Sequence, residues 1–172
     1  MTEPKVKHLK VATKSESKFL DEIAQLVQNA RNAANSAVSS IIVVTNWNIG
    51  RRIVEQEQKG KNRAAYGDRL VELISEDLTR KFGDGYGKRN VQYFRKFYLL
   101  FNDFEIVNTC VRNLNWSHFK RLLSVSNDDA RMWYMKEADS QMWPVRTLDR
   151  NISTQYYERL LHSPKKEKVI AE

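Results

Sequence analysis

From residue 19 to residue 58 the chain has no proline and a single glycine, Gly50, while apolar residues return at Phe19, Ile23, Leu26, Ala30, Ala33, Ala37, Ile41 and Val44. Steps of three and four are the mark of a helix with one apolar face. One helix over these forty residues would extend roughly 60 Å at about 1.5 Å per residue, longer than a small domain is wide. The run is therefore either a single helix, part of which needs a partner outside the compact core, or two helices folded back on each other. Ala30, Ala33, Ala34 and Ala37 would let a second helix approach closely, so a homodimer through residues 19–54 is one expectation. No stretch carries the alternation of a strand, and there is neither an internal repeat nor a low-complexity tract. The expected fold is all-α: a multi-helical domain containing a helix-turn-helix, with a long N-terminal helix or helix pair.

The helix-turn-helix is expected over residues 66–101. Leu70, Leu73, Ile74, Leu78 and Phe82 form a one-sided stripe. Gly83 follows in the slot of a left-handed C-cap, and Gly85 and Gly87 let the backbone reverse. A second helix begins near Lys88, burying Val91, Phe94, Tyr98 and Phe101 and turning Lys88, Arg89, Gln92, Tyr93 and Lys96 outward. Between residues 88 and 101 there are four basic residues and no acid, a local charge of +4. In a DNA-binding motif of this type the leading residues of the second helix meet base edges while flanking cations neutralise phosphates. Lys88, Arg89 and Gln92 are the candidates for base edges and Arg80, Lys81, Arg95 and Lys96 for phosphates. Tyr93 is the aromatic expected on the same face. The competing reading is an ordinary helical hairpin with a solvated basic face.

Charge supports a polyanionic partner: 29 Lys and Arg against 21 Asp and Glu give a net +8, and nucleic acid is the commonest such partner. Residues 59–96 hold ten bases against five acids, net +5, so most of the surplus lies there. The longest strongly apolar run, residues 37–44, is too short for a bilayer, and the N-terminus lacks a signal-peptide core. A cytoplasmic location is the default expectation. The single cysteine, Cys110, excludes an internal disulfide. His8, His118 and His162 are scattered and make no metal-ligand spacing, so no metal or cofactor is expected. Gly83, Gly85 and Gly87 lack the preceding strand and GK[ST] ending of a phosphate-binding loop. Ser117 beside His118 has no third partner for nucleophilic catalysis. Trp47, Trp116, Trp133 and Trp143 are expected in the core.

Residues 1–17 read as a basic disordered tail and 61–65 as a basic connector. Residues 18–162 read as the helical domain and 163–172 as a charged tail. The scaffold over 104–161 contains a short helix at 104–112, one over 116–125 capped by Asn115, one over 129–140 capped by Asp128, and one starting at Pro144. In the last, Val145, Leu148, Ile152, Tyr156 and Leu160 make a stripe.

The runs NWNIGRRIVEQEQKG, RAAYGDRLVELISEDLTRKFGDGYGKRNVQYFRKFY, LNWSHFKRLLSV and WPVRTLDRNISTQYYERL resemble, in order, the N-terminal domain of the bacterial YhcG family. The resemblance covers residues 29–161. It implies a helix-turn-helix or winged-helix DNA-binding module that, in the family, precedes a nuclease-like domain of the PD-(D/E)XK class. A second resemblance is to ParB-like partition proteins, where LNWSHFKRLL and PVRTLDR occupy comparable places. It implies that residues 88–98 are the recognition helix and 116–161 its scaffold. Two departures stand out: Gly87 and Pro144 replace serines common in the family. The chain ends soon after the YERL block, so the nuclease-like domain is expected to be missing, and Glu57 with Lys59 matches only the short half of its motif. The function expected is a DNA-binding domain of a YhcG-type nuclease family, not an enzyme by itself, with double-stranded DNA as partner. The alternative is an oligomerisation or protein-interaction module that assembles or regulates nuclease-containing partners.

Overall fold

The computed structural model describes residues 13–59 and 63–162, the side chains of 63–65 excepted. Eight α-helices and one 3-10 turn account for the described fold, with no strand among the described residues: α1 Lys14–Glu57, α2 Arg63–Phe82, the turn Asp84–Tyr86, α3 Lys88–Leu100, α4 Phe104–Cys110, α5 Trp116–Leu122, α6 Asp128–Ser140, α7 Val145–Ser153 and α8 Tyr156–Leu161. The expected all-α class with a long first helix is what the chain adopts. The distal tails and residues 60–62, including Gly60, lie outside the described residues.

The choice between one long helix and a folded pair resolves to one helix of 44 residues. It starts at Lys14, inside the stretch read as a tail, because Thr13 and Glu16 form a reciprocal cap. The Glu16 carboxylate accepts from the Thr13 N–H at 2.8 Å, and the Thr13 hydroxyl accepts from the Glu16 N–H at 3.3 Å. The chain divides into two compact units, residues 1–36 and 37–172. In the first, Phe19, Leu20, Ile23, Leu26 and Val27 are all exposed. In the second, α1 has a buried side formed by Val43, Asn46, Trp47, Gly50, Ile53, Val54 and Glu57.

Gly50 explains why this part of α1 can lie against α3. A Cβ built at residue 50 would stand 2.0 Å from the Phe94 carbonyl oxygen, so no side chain fits between the two backbones. On one side of this approach Ile53, Val71 and Val91 make a small apolar cluster joining α1, α2 and α3. On the other lies the main core, rich in aromatics. Phe97 sits at its centre with ring centroids 5.3 Å from Trp116, 4.9 Å from Phe119 and 5.6 Å from Phe101. Trp47 is buried and donates its indole N–H to the Phe101 carbonyl at 2.6 Å.

Several boundaries differ from the sequence reading, each for a physical reason. α6 is capped by Asn127, whose side chain accepts from the Ala130 N–H at 2.8 Å. That leaves Asp128 inside the helix, paired with the buried Arg131. The stripe from Val145 to Leu160 is split between α7 and α8 by Thr154 and Gln155, the latter left-handed at φ 51°. The Tyr134 hydroxyl of α6 bridges this break, donating to the Asn151 carbonyl at 3.1 Å and accepting from the Tyr157 N–H at 3.0 Å. It thereby satisfies one polar group from each helix end.

Candidate functional site

The turn between α2 and α3 depends on one residue. Gly83 takes φ 90° and ψ −174°, a conformation open essentially to glycine alone; it is not the left-handed C-cap expected. Its N–H still closes the last bond of α2, to the Thr79 carbonyl at 2.9 Å. Gly85 and Gly87 both have negative φ and need no such freedom. Asn90 fastens the turn to α3, its side-chain amide donating to the Gly85 carbonyl at 3.0 Å. Of the stripe expected on α2, Leu70, Ile74 and Leu78 are half-buried, whereas Leu73 and Phe82 are exposed and the inward role falls to Val71.

α3 begins at Lys88 as expected. Val91, Phe94 and Phe97 are its buried residues, with Phe101 buried just beyond its end, while Tyr98 is only half-buried against Trp47. At about 100° per residue these place the core on one side and Lys88, Arg89, Gln92, Lys96 and Leu99 on the other. All five are exposed.

The eight residues singled out from the sequence divide by what they touch. Arg89, Gln92 and Lys96 make no ion pair with a described carboxylate. Arg89 lies over the Tyr93 ring, 5.6 Å from its centroid, with Nε donating to the Tyr93 hydroxyl at 3.2 Å. Lys88 pairs with Glu72 of α2 at 2.5 Å. That contact moves Lys88 above the ordinary lysine value and Glu72 below the ordinary carboxylate value. Arg80 and Lys81 share Asp77 one turn back on α2. A hydrogen bond from Lys81, aided by the weaker one from Arg80, holds the Asp77 carboxylate low despite the opposing effect of burial. These pairs are exposed, worth little to stability, and readily exchanged for another anion.

Arg95 is different. Its Nε donates to both oxygens of Glu57 at 2.8 Å. Glu57 is only 8% exposed. Its carboxylate lies against Gly67 of α2, where an added Cβ would come within 2.9 Å of Oε1. One carboxylate at the end of α1 thus binds α2 and α3, and Arg95 is occupied as a brace.

Two recesses flank α3. The first, of about 450 Å³, is lined by Arg89, Asn90 and Tyr93 of α3, Ser117, Lys120 and Arg121 of α5, and Val145 of α7. The second, of about 480 Å³, is lined on α3 by Gln92, Arg95, Lys96 and Leu99, with Glu57, Gly67, Asp68 and Val71 opposite. The α5 residues Lys120 and Arg121 were absent from the sequence reading. Their signal was present, as the cationic pair inside the block LNWSHFKRLL, but nothing in the order of residues says that α5 lies beside Arg89.

α5 is held by a capping box. The Asn115 side chain accepts from the N–H groups of Ser117 and His118, and His118 Nδ1 accepts from the Asn115 N–H at 3.2 Å. That assignment leaves the proton on Nε2, which donates to the Trp143 carbonyl at 2.9 Å. Burial keeps the His118 imidazole below its ordinary value, so it is a structural neutral histidine. Among the described residues no group of three or more His, Cys, Asp or Glu could hold a metal ion. None of the described helices is long and apolar enough to cross a membrane.

Residues 22–159 match the DUF1016 N-terminal domain. The chain is 37% identical over 179 aligned positions to the Escherichia coli (strain K12) protein named "Putative nuclease YhcG", covering 87% of this chain and 48% of that protein. It therefore spans about half the length of that relative. No solved structure matches.

Proposed function

This chain belongs to the DUF1016 N-terminal domain family, and from that premise we propose that α2 and α3 act as a helix-turn-helix that binds duplex DNA. In this reading the unit performs no catalysis; it positions DNA for the nuclease that its relative's name describes. The observation that carries the proposal is the outer face of α3, where Arg89 and Gln92 in the leading half and Lys96 one turn further on stand exposed, none of them paired with a described carboxylate, on a helix whose other side is anchored by Val91, Phe94 and Phe97. Arg and Gln side chains there have the donors and acceptors that read guanine and adenine edges. Lys88, Arg80 and Lys81 can leave their exposed acids for phosphates, and Tyr93 supports Arg89.

The test is a fluorescence-anisotropy titration of the full chain with labelled duplex at two salt concentrations. Replacing Arg89 and Gln92 by Ala should weaken binding by about 1–3 kcal/mol per lost base contact. Unchanged binding in the double variant would remove this face from consideration.

A second reading has its own observation. On the first unit of α1, Phe19, Leu20, Ile23, Leu26 and Val27 are each at least 44% exposed and fall on one side of the helix at about 100° per residue. A second copy of the chain, pairing helix to helix along this side, would cover them. Light scattering decides it: a stable dimer that loses mass when Leu26 becomes Lys supports self-association, and a monomer at all concentrations rejects it.

A further inference from the structure

The recess between α3 and α5 has a composition that the second recess lacks. Its lining carries three cations, Arg89, Lys120 and Arg121, and no carboxylate. Of the three, Arg121 alone pairs with a described carboxylate, its Nε lying 3.3 Å from Asp149. Lys120 has no hydrogen-bonding or ionic partner among the described residues and is half-buried, so its aliphatic stem is held while its ammonium has nothing to neutralise it. Around these cations stand neutral donors: the exposed Ser117 hydroxyl and the Asn90 side chain. Three like charges gathered in one concavity repel one another, and an anion entering the recess relieves that repulsion.

We propose that this recess is a phosphate-binding site, with Arg89 on one wall and Lys120 and Arg121 on the other. Resting on the DNA-binding reading of α3, the inference extends the contact surface from the helix-turn-helix across to α5. The phosphate comes from the backbone of the DNA whose bases face α3. The same chemistry would accept inorganic phosphate as a free ion. Phosphate oxygens suit the planar guanidinium forks of Arg89 and Arg121 and the point charge of Lys120. Arg89 joins the two surfaces, being at once the first cation of α3 without a described carboxylate partner and a wall of the recess.

Lys120 provides the cleanest test, since no hydrogen bond or ion pair among the described residues depends on its ammonium. Lys120→Gln should melt at the wild-type temperature yet bind duplex DNA more weakly at low salt. The slope of log affinity against log salt should fall by about 0.9, so that the wild-type advantage shrinks about 3.5-fold between roughly 50 and 200 mM salt. The paired arm measures inorganic phosphate by the rise in melting temperature, in wild type and variant. Duplex affinity and slope both unchanged in Lys120→Gln, with Arg89→Ala and Gln92→Ala still weakening binding, would overturn the recess and leave the α3 reading standing. Wild-type chain that ignores duplex but is stabilised by phosphate through Lys120 would support the recess, assign it to a free ion and overturn the α3 reading. Response to neither ligand overturns both.

Discussion

The two hollows beside α3 are nearly equal in volume and opposite in electrical design. The one facing α5 is lined by three cations and no acid, whereas the one facing α1 and α2 sets Arg95 and Lys96 against Glu57 and Asp68 and is neutral on balance. Both borrow cations from the same helix, so a helix's charge taken alone does not tell which flank an anion will meet. What decides is the element packed alongside. The end of α1 supplies a nearly buried carboxylate that binds Arg95, while α5 brings further cations. The +4 of α3 is therefore spent partly on architecture and partly left outward.

The contrast should break most completely at Gly50, on which the approach of α1 to α3 depends. Gly50→Ala must displace the Phe94 backbone, and overpacking of this kind costs about 3 kcal/mol or more where backbone cannot yield. Chemical denaturation should show that loss together with weakened DNA binding. A midpoint near wild type would mean the helices part easily. Glu57→Gln should cost about 1–3 kcal/mol, since it leaves Arg95 with a weaker acceptor at a mostly buried site. Its duplex affinity, corrected for the folded fraction, should stay at the wild-type value. A tenfold affinity loss in Glu57→Gln would show that the neutral flank also takes part in binding.

The α5 side sharpens in acid. Because burial holds folded His118 below its ordinary value near 6.5, the unfolded chain takes up the proton first as pH falls. The stability from neutral His118 is complete above about 6.5 and is lost progressively below it. Melting temperature should drop between pH 7.5 and 5.5, and the drop should be smaller in His118→Gln. An identical pH profile in the variant would remove His118 as its cause. The smallest effect is expected at Lys96, which has no ion-pair partner among the described residues. Lys96→Gln should leave stability unchanged and lower the salt slope by at most about 0.9 if Lys96 meets a phosphate.

The sequence carried the helical class, the position of α3 and the Asn115 cap because these rest on local signals: period, glycine punctuation and a short polar side chain before an apolar run. It placed Phe94 and Phe101 inside but missed Phe97, since a stripe drawn through Tyr98 passes beside it. What stayed hidden was tertiary. Glu57 looks like any acid on a charged helix end until α3 brings Arg95 to it. The break at Gln155 carries no glycine or proline; its reason is a hydroxyl arriving from α6. Lys120 and Arg121 could be read as ordinary helix surface, and only the packing of α5 turns them toward Arg89.

The brace between Arg95 and Glu57 leaves α3 with separable duties along its length. Val91, Phe94, Arg95 and Phe97 keep the helix in place, whereas Arg89 touches only Tyr93 one turn along the same helix and Gln92 and Lys96 have no polar partner among the described residues. Those three outer positions can be rewritten as a set, in a library of otherwise identical chains, so that the proposed DNA reading is put to selection without each new letter also having to rescue the fold.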